Sequence, residues 1–398
     1  MGKTAFLVKT TKMKTSLPKN RIQYNLRDIV DSRKGKMPSA FSTMQTNSYI
    51  PYIDIKLFEK GIVKRFAKND SKCTLVDVND VLVVWDGARF GLSSIGQKGA
   101  LGTTIMALSS KQLLPKFLYY FIQSNFKTIQ SKPRGIGIPH IDPNLFWNLK
   151  IPLLPISEQT RIVSKIEKLF KEIDDSVSKL QTAQAQIIAF QESFLKKIFS
   201  NASSFVKIGD LCNVVRGGSP RPAGDPKYYN GSIPFLKVAD LTKDNNKFLL
   251  SHTYTIKEAG LRKTRKVEKN TLLLSNSGAT LGVPKICIFD TTFNDGIAAF
   301  LGLPEESLTF HYYFWLSKTK ELRNINQGAA QPNLNTDLIK NILIPNLPLK
   351  EQKFTVLEIE RQFTVADKMQ KAVDIALQDA KKLKQSILKK AFAGELVK

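Results

Sequence analysis

Cysteine is scarce in this chain. Cys73, Cys212 and Cys287 are the three among 398 residues. They are odd in number, far apart and without metal-ligand spacing, which excludes a disulfide scaffold and a zinc module and fits a reducing cytoplasm. Histidine is as rare, and His140, His252 and His311 are too widely separated to suggest a metal centre or a general base. No apolar run approaches the ~18–20 residues that cross a bilayer, so no membrane partner is expected. The basic N-terminus, with only Ala5-Phe6-Leu7-Val8 as an apolar patch, makes a poor signal peptide. Acidic residues are also short, 34 against 60 lysines and arginines, for a net charge of +26. The excess is uneven. Residues 1–156 carry 24 basic and 9 acidic side chains and residues 201–348 carry 18 and 12, while 157–200 and 349–398 lie near balance. The first two segments are therefore expected to meet a polyanion, and the other two to meet protein.

Between Pro155 and Ser200 there is neither proline nor glycine, and this stretch occurs twice. Ile151-Pro152-Leu153-Leu154-Pro155-Ile156-Ser157-Glu158-Gln159 returns 193 residues later as Ile344-Pro345-Asn346-Leu347-Pro348-Leu349-Lys350-Glu351-Gln352. The match continues without a gap through Val163/Val356, Ile166/Ile359, Phe170/Phe363 and Asp174/Asp367 to Lys196/Lys389 and Phe199/Phe392. Such a match means duplication. Both copies show a heptad a/d seam: Ile166, Ile173, Leu180, Ile187 and Phe194 at seven-residue spacing in the first, and Ile359, Val373 and Ile387 in the second with Leu383 on the row three residues on. A seam of this kind must be buried, and its nearest equivalent is its own duplicate. The expectation is an intramolecular antiparallel coiled coil. A wider stripe of Val163, Phe170, Val356 and Phe363 should pack on globular neighbours near each helix start.

The segments between read differently. Tyr49–Ile53, Val81–Trp85 and Thr103–Leu108 look like short strands, and Pro115–Phe126 like a buried helix opened by its proline. Residues 204–348 repeat the plan: Ile50-Pro51-Tyr52-Ile53 resembles Ile233-Pro234-Phe235-Leu236, and Phe117, Tyr119, Tyr120 and Phe121 return as Phe310, Tyr312, Tyr313 and Phe314. The tyrosines at helical spacing are read as core rather than as base-stacking platforms. The chain thus divides into a basic leader (1–14), a first globule (15–156), a helix (157–203), a second globule (204–348) and a second helix (349–398).

No catalytic constellation emerges. Asp225-Pro226-Lys227-Tyr228 has a lysine where an amino-methyltransferase loop has proline. Gly91–Lys98 has Gln97 where a phosphate loop needs lysine, and Asp54-Ile55-Lys56 lacks the second acid of a nuclease. Catalytic and metal residues are expected to be none. Nucleic-acid features are stronger. Arg33, Lys34 and Lys36 around Gly35, and Arg216, Gly217, Gly218, Ser219 and Arg221, fall at corresponding places in the two globules. Glycine lets backbone N–H groups approach phosphate, and arginine offers bidentate donors. Arg89, Lys132 and Arg134 add charge, while Asn276, Ser277, Thr280, Gln327, Gln331 and Asn333 add amides and hydroxyls suited to base edges.

With the two Ile-Pro…Glu-Gln motifs and the terminal Leu388-Lys389-Lys390-Ala391-Phe392-Ala393-Gly394-Glu395-Leu396, the chain resembles the specificity subunit of Type I restriction–modification systems. The resemblance covers everything after the leader. One departure is Gly135-Ile136-Gly137-Ile138-Pro139-His140, which lacks the Gln331 and Asn333 of the second copy. The resemblance implies an α+β fold: two mixed α/β target recognition domains on two long helices with a pseudo-two-fold. It implies a non-catalytic cytoplasmic subunit in which each domain reads half of a bipartite double-stranded DNA target. The helices would act as spacer and docking face, a helix over 157–200 being about 66 Å long. Two modification (methyltransferase) subunits and the restriction subunits are the implied partners. No cofactor is expected on this chain, S-adenosylmethionine belonging to the methyltransferase. The alternative is a nucleic-acid-binding scaffold whose coiled coil recruits something else.

Overall fold

The computed structural model describes residues 22–135, 137–325 and 334–397. The leader and the Gln327, Gln331 and Asn333 positions lie outside them. The chain divides into two compact units, one built from residues 1–180 with 375–398 and one from 181–374.

In the first unit a four-stranded antiparallel sheet runs Asp31–Lys34, Ile105–Ser109, Val81–Val84, Ser93–Ile95. Val81–Val84 is apolar at every position because both its faces are covered. Val81 and Val83 join a core with the helix α1 (Pro115–Ser124), while Leu82 joins a second core with Ile53, Leu57 and Leu101. That second core belongs to a five-stranded sheet in which Tyr49–Ile53 pairs parallel with Gly99–Leu101, Tyr52 opposite Ala100. Gln23–Asn25 and Lys150–Pro152 form a two-stranded clasp where chain enters and leaves the globule. From this clasp the helix α2 (Ile156–Ser200) departs.

The second unit repeats the plan with one strand more in the first sheet (Phe248–Leu249) and one fewer in the second. Thr271–Ser275 lies in the larger sheet between Ile297–Leu301 and Pro284–Cys287. Its Leu272 and Leu274 face the helix α3 (Leu308–Ile325), and Leu273 faces the smaller sheet with Leu236 and Phe293. Tyr229–Leu236 pairs parallel with Thr291–Phe293, and Phe205–Lys207 clasps Leu343–Pro345 before the helix α4 (Leu349–Ala393) begins. The mixed α/β character and both long helices are as expected.

The two long helices meet within each unit. In the second unit Gln184 Nε2 lies 3.2 Å from Asp374 Oδ1 and Gln191 Nε2 lies 3.4 Å from Asp367 Oδ1, so α2 and α4 run antiparallel. In the first, Lys384 Nζ stands 2.6 Å from Asp174 Oδ1. Ile166, Ile173, Ile359, Val373 and Ile387 are buried, and Leu180, Ile187 and Phe194 are partly so. Leu383 departs from the expected seam and is 51% exposed. Beside it Lys384 crosses to α2 instead, its ammonium 5.0 Å from the Phe170 ring centroid and 2.6 Å from Asp174 Oδ1. The wider stripe meets the globules. Phe170 packs edge-on against Tyr120 of α1 and Phe363 against Tyr313 of α3. Burial pushes the Tyr120 hydroxyl up to about 12, as suits a core tyrosine.

Candidate nucleic-acid interface

The glycines after the first long strand of each globule are explained by packing. A side chain on Gly35 would strike the Gly102 carbonyl, and one on Gly217 the Phe293 and Asn294 carbonyls. Their N–H groups donate to Ile105 and Ile297, each the first residue of the neighbouring strand, and Gly218 donates to Phe293. This corrects the sequence reading. The N–H groups of Gly35, Gly217 and Gly218 are consumed by the sheet and are not presented to phosphate. What the glycines do is bring the following loop close over the sheet.

Around these anchors the cations are held in place. Arg33 Nη2 donates to the buried Asp80 carboxylate at 2.6 Å, and Lys34 Nζ lies 2.9 Å from Asp86. Asp86 bridges to His140, which exchanges backbone hydrogen bonds with Arg134, and Arg134 in turn lies 3.5 Å from Asp142. The fold therefore gathers Lys34 and Arg134 in one neighbourhood, with Arg89 and Lys132 exposed on the same two loops and Lys36 exposed beyond Gly35. In the second unit Asp295 is the organising group. Its backbone carbonyl accepts from Arg216 Nε at 2.5 Å, its carboxylate accepts from Ser219 Oγ at 2.6 Å, and Arg221 stands 4.0 Å away.

Asn276 does not fit its expected role. It occupies the place of Trp85, since Leu334 donates to its carbonyl as Ile141 donates to that of Trp85. It is fully buried, with neither amide atom partnered among the described residues, so it is not presented to a base edge. Its neighbours on the turn are more open: Ser277 is half-buried and Thr280 exposed. Asp54, considered as part of a nuclease site, caps the helix Ile55–Lys60 by accepting from Leu57. Among the described residues no group of His, Cys, Asp and Glu is placed to hold a metal ion.

The sequence reading missed a set of cations in the second unit. Lys227 and Lys263 both lie against the Tyr228 ring, at 5.6 and 5.2 Å. Arg265 Nε donates to the Arg216 carbonyl, and the Tyr229 hydroxyl donates to the Pro220 carbonyl. Exposed Lys263 and Arg265 thus join Arg221 and Lys227 around one loop, with exposed Arg262 and Lys266 next to them in sequence. The signal was available in the run Arg262-Lys263-Thr264-Arg265-Lys266 and in Lys227-Tyr228-Tyr229, a basic and aromatic mixture suited to nucleic acid.

The model of the Type I restriction modification DNA specificity domain matches this chain twice, at residues 18–185 and 202–369. The chain belongs to this family. Among curated relatives, the Type I restriction enzyme MjaVIII specificity subunit of Methanocaldococcus jannaschii is 28% identical over 353 residues, 82% of each chain. The EcoDI specificity subunit of Escherichia coli is 26% identical over 318 residues, covering 71% of this chain and 70% of that one. In fold, the DNA specificity domains are similar to a chain solved in a study of assembly and conformational transition of the type I R-M system. That likeness has a TM-score of 0.72 at 21% identity over 96% of this chain and 99% of that one. The HsdS subunit from Thermoanaerobacter tengcongensis is similar at a TM-score of 0.55 and 22% identity, over 95% and 98%. Each specificity-domain match takes in one globule and the start of the long helix that follows it.

Proposed function

We propose that this chain is the sequence-reading subunit of a Type I restriction–modification complex, with each globule reading one half of a split double-stranded DNA target. The observation that carries the reading is the duplication itself. One recognition fold occurs twice in one chain, each copy with its own cationic loop anchored by glycine on the sheet. Two different loops on one repeated frame suit two different half-targets, and the loop cations suit a polyanion. The chain acts by binding, and the chemistry belongs to its partners. A methyltransferase subunit would bring S-adenosylmethionine, and the restriction subunit would join that assembly.

The helices supply a seat for the methyltransferase. On α4, Phe354 is 73% and Leu357 65% exposed, and Val365 and Met369 are about half-exposed. These four share one helical face, opposite the face on which Ile359, Phe363 and Ala366 are buried or half-buried. These side chains surround the Glu358–Arg361 ion pair on the same face, and apolar groups around an arginine suit a protein-docking surface. Among the described residues no helix is long and apolar enough to cross a membrane.

The deciding experiment is single-molecule sequencing of methylated adenines in cells expressing this chain with a candidate methyltransferase subunit. A split motif, one half of which changes when residues 204–348 are exchanged for another domain, is the expected result. A stable complex on DNA without methylation would favour a recruiting scaffold. Substituting Phe354 and Leu357 with serine should leave the fold intact and abolish co-purification of the methyltransferase subunit.

A further inference from the structure

The five-stranded sheet of the first unit and the four-stranded sheet of the second correspond residue by residue in their pairing. Pro51 lies opposite Phe66 and Pro234 opposite Thr255; Tyr52 lies beside Ala100 and Phe235 beside Thr292. The Tyr52 N–H donates to the Arg65 carbonyl, and Phe235 lies opposite Tyr254. Asp54 and Arg65 of the first unit therefore occupy the places of Lys237 and Tyr254 in the second. None of these side-chain types is kept. What is kept is a cation lying on aromatic rings.

Arg65 Cζ lies 4.9 Å from the Phe41 ring centroid and 5.1 Å from that of Tyr52, with Nη2 on Asp54 Oδ2 at 3.1 Å. The clamp occupies one edge of the guanidinium, and the side chain remains 49% exposed. Lys237 Nζ lies 3.7 Å from the Tyr254 ring centroid and 5.9 Å from that of Tyr229. No carboxylate among the described residues forms a salt bridge with it. The nearby Asp240 carboxylate accepts from the Lys237 backbone N–H at 2.9 Å, so the half-buried ammonium on the rings is open to an incoming anion.

Both cations also adjoin the glycine-anchored loop. Tyr229, which Lys237 overlies, donates its hydroxyl to Pro220 inside the Arg216–Arg221 segment. Tyr52, which Arg65 overlies, borders Gly102, and Gly102 is the residue on which Gly35 packs. Sequence has moved the positive charge from one strand to its neighbour and kept it in the same place. A role confined to stabilising the sheet would not require that, since Asp54 and Tyr254 show that either position accepts a non-cation.

We infer that Arg65 and Lys237 are direct DNA contacts, each engaging an acceptor oxygen in the half-target of its own domain. Pre-ordering on the rings removes most of the side-chain freedom such a contact would otherwise lose. The acceptor belongs either to a phosphate or to the edge of guanine, both of which present oxygen to a fixed cation. The inference rests on the reading of the chain as a DNA specificity subunit.

The test uses the full chain with its methyltransferase subunit, Arg65→Gln and Lys237→Gln variants, and a duplex carrying the wild-type motif. Each variant should weaken binding about tenfold or more, and each should affect one half-target only. Loss of preference at one base position marks a guanine contact. Uniform weakening with a salt slope reduced by about one marks a phosphate contact. Tyr254→Leu, which keeps the charge and removes the clamp, should give a smaller loss in the second half alone. Unfolding midpoints of all three variants identify any loss that is merely structural. Affinity and motif within twofold of wild type for both cation variants would overturn the inference while leaving the proposed function standing. A wild-type complex that neither marks nor binds DNA would remove both.

Discussion

Asp295 carries a prediction that charge alone would reverse. It sits among cations, so removing its negative charge should strengthen DNA binding if only the field mattered. Geometry says otherwise, because its carboxylate holds Ser219 and faces Arg221. Asp295→Ala should release the loop and weaken recognition of the second half-target several-fold, as read by duplex affinity at fixed salt. His311 carries a second prediction. It is buried in α3 with Nδ1 donating to the Ser307 carbonyl at 2.9 Å, and burial lowers its affinity for a proton. In the unfolded chain the ring takes up a proton below about pH 6.5. The folded form resists that proton, so its contribution to stability is complete above that pH and is lost as pH falls toward the depressed folded value. The unfolding midpoint should drop between pH 7.5 and 5.5, and His311→Gln should flatten that slope.

At the scale of elements, the helices were legible because period and duplication coincide. Ile166, Ile173 and Ile359 declare the seam, and Phe170 and Phe363 declare the side that meets a globule. Phe170→Ala and Phe363→Ala should each cost about 3 kcal/mol in denaturant unfolding, because the ring is removed from a packed contact with tyrosine. The repeated glutamine was visible as a match, but its purpose was not. Gln159 is fully buried, accepts from Leu114 N–H at 2.8 Å and donates to the Gln112 and Leu154 carbonyls. It ties the start of α2 to the turn before α1, across 45 residues of chain. No local pattern announces such a contact. The loops were the least legible part for a related reason. Gly217 read as an approach to phosphate because the neighbouring sheet carbonyls that occupy its N–H lie about 80 residues away. Lys237 and Arg65 went unnoticed because only strand register shows that they share a place.

For the whole molecule, the surplus of positive charge predicts steep salt dependence. If six or more phosphates are contacted, affinity for duplex DNA should fall by roughly a thousandfold or more between 50 and 200 mM salt. Binding measured across that range checks it, and a nearly flat response would argue that the charge serves solubility. The larger plan of two similar globules and two helices could be read from the sequence because duplication is a global signal that survives divergence of the loops. The assignment of chain to compact unit could not. Periodicity shows that a seam exists, but it does not show that each unit uses one half of each helix.

That division has a consequence for how the protein is made. The unit whose globule emerges first from the ribosome is finished last. Its core includes Ile387, Leu388 and Ala391, and Phe392 packs on Phe117 and Phe121. The other unit, residues 181–374, is continuous in sequence and has all its parts earlier. During synthesis the N-terminal globule waits with an open apolar groove along α1 and α2 for almost two hundred residues of further translation. A premature stop near codon 375 would accordingly damage the first reading head and spare the second.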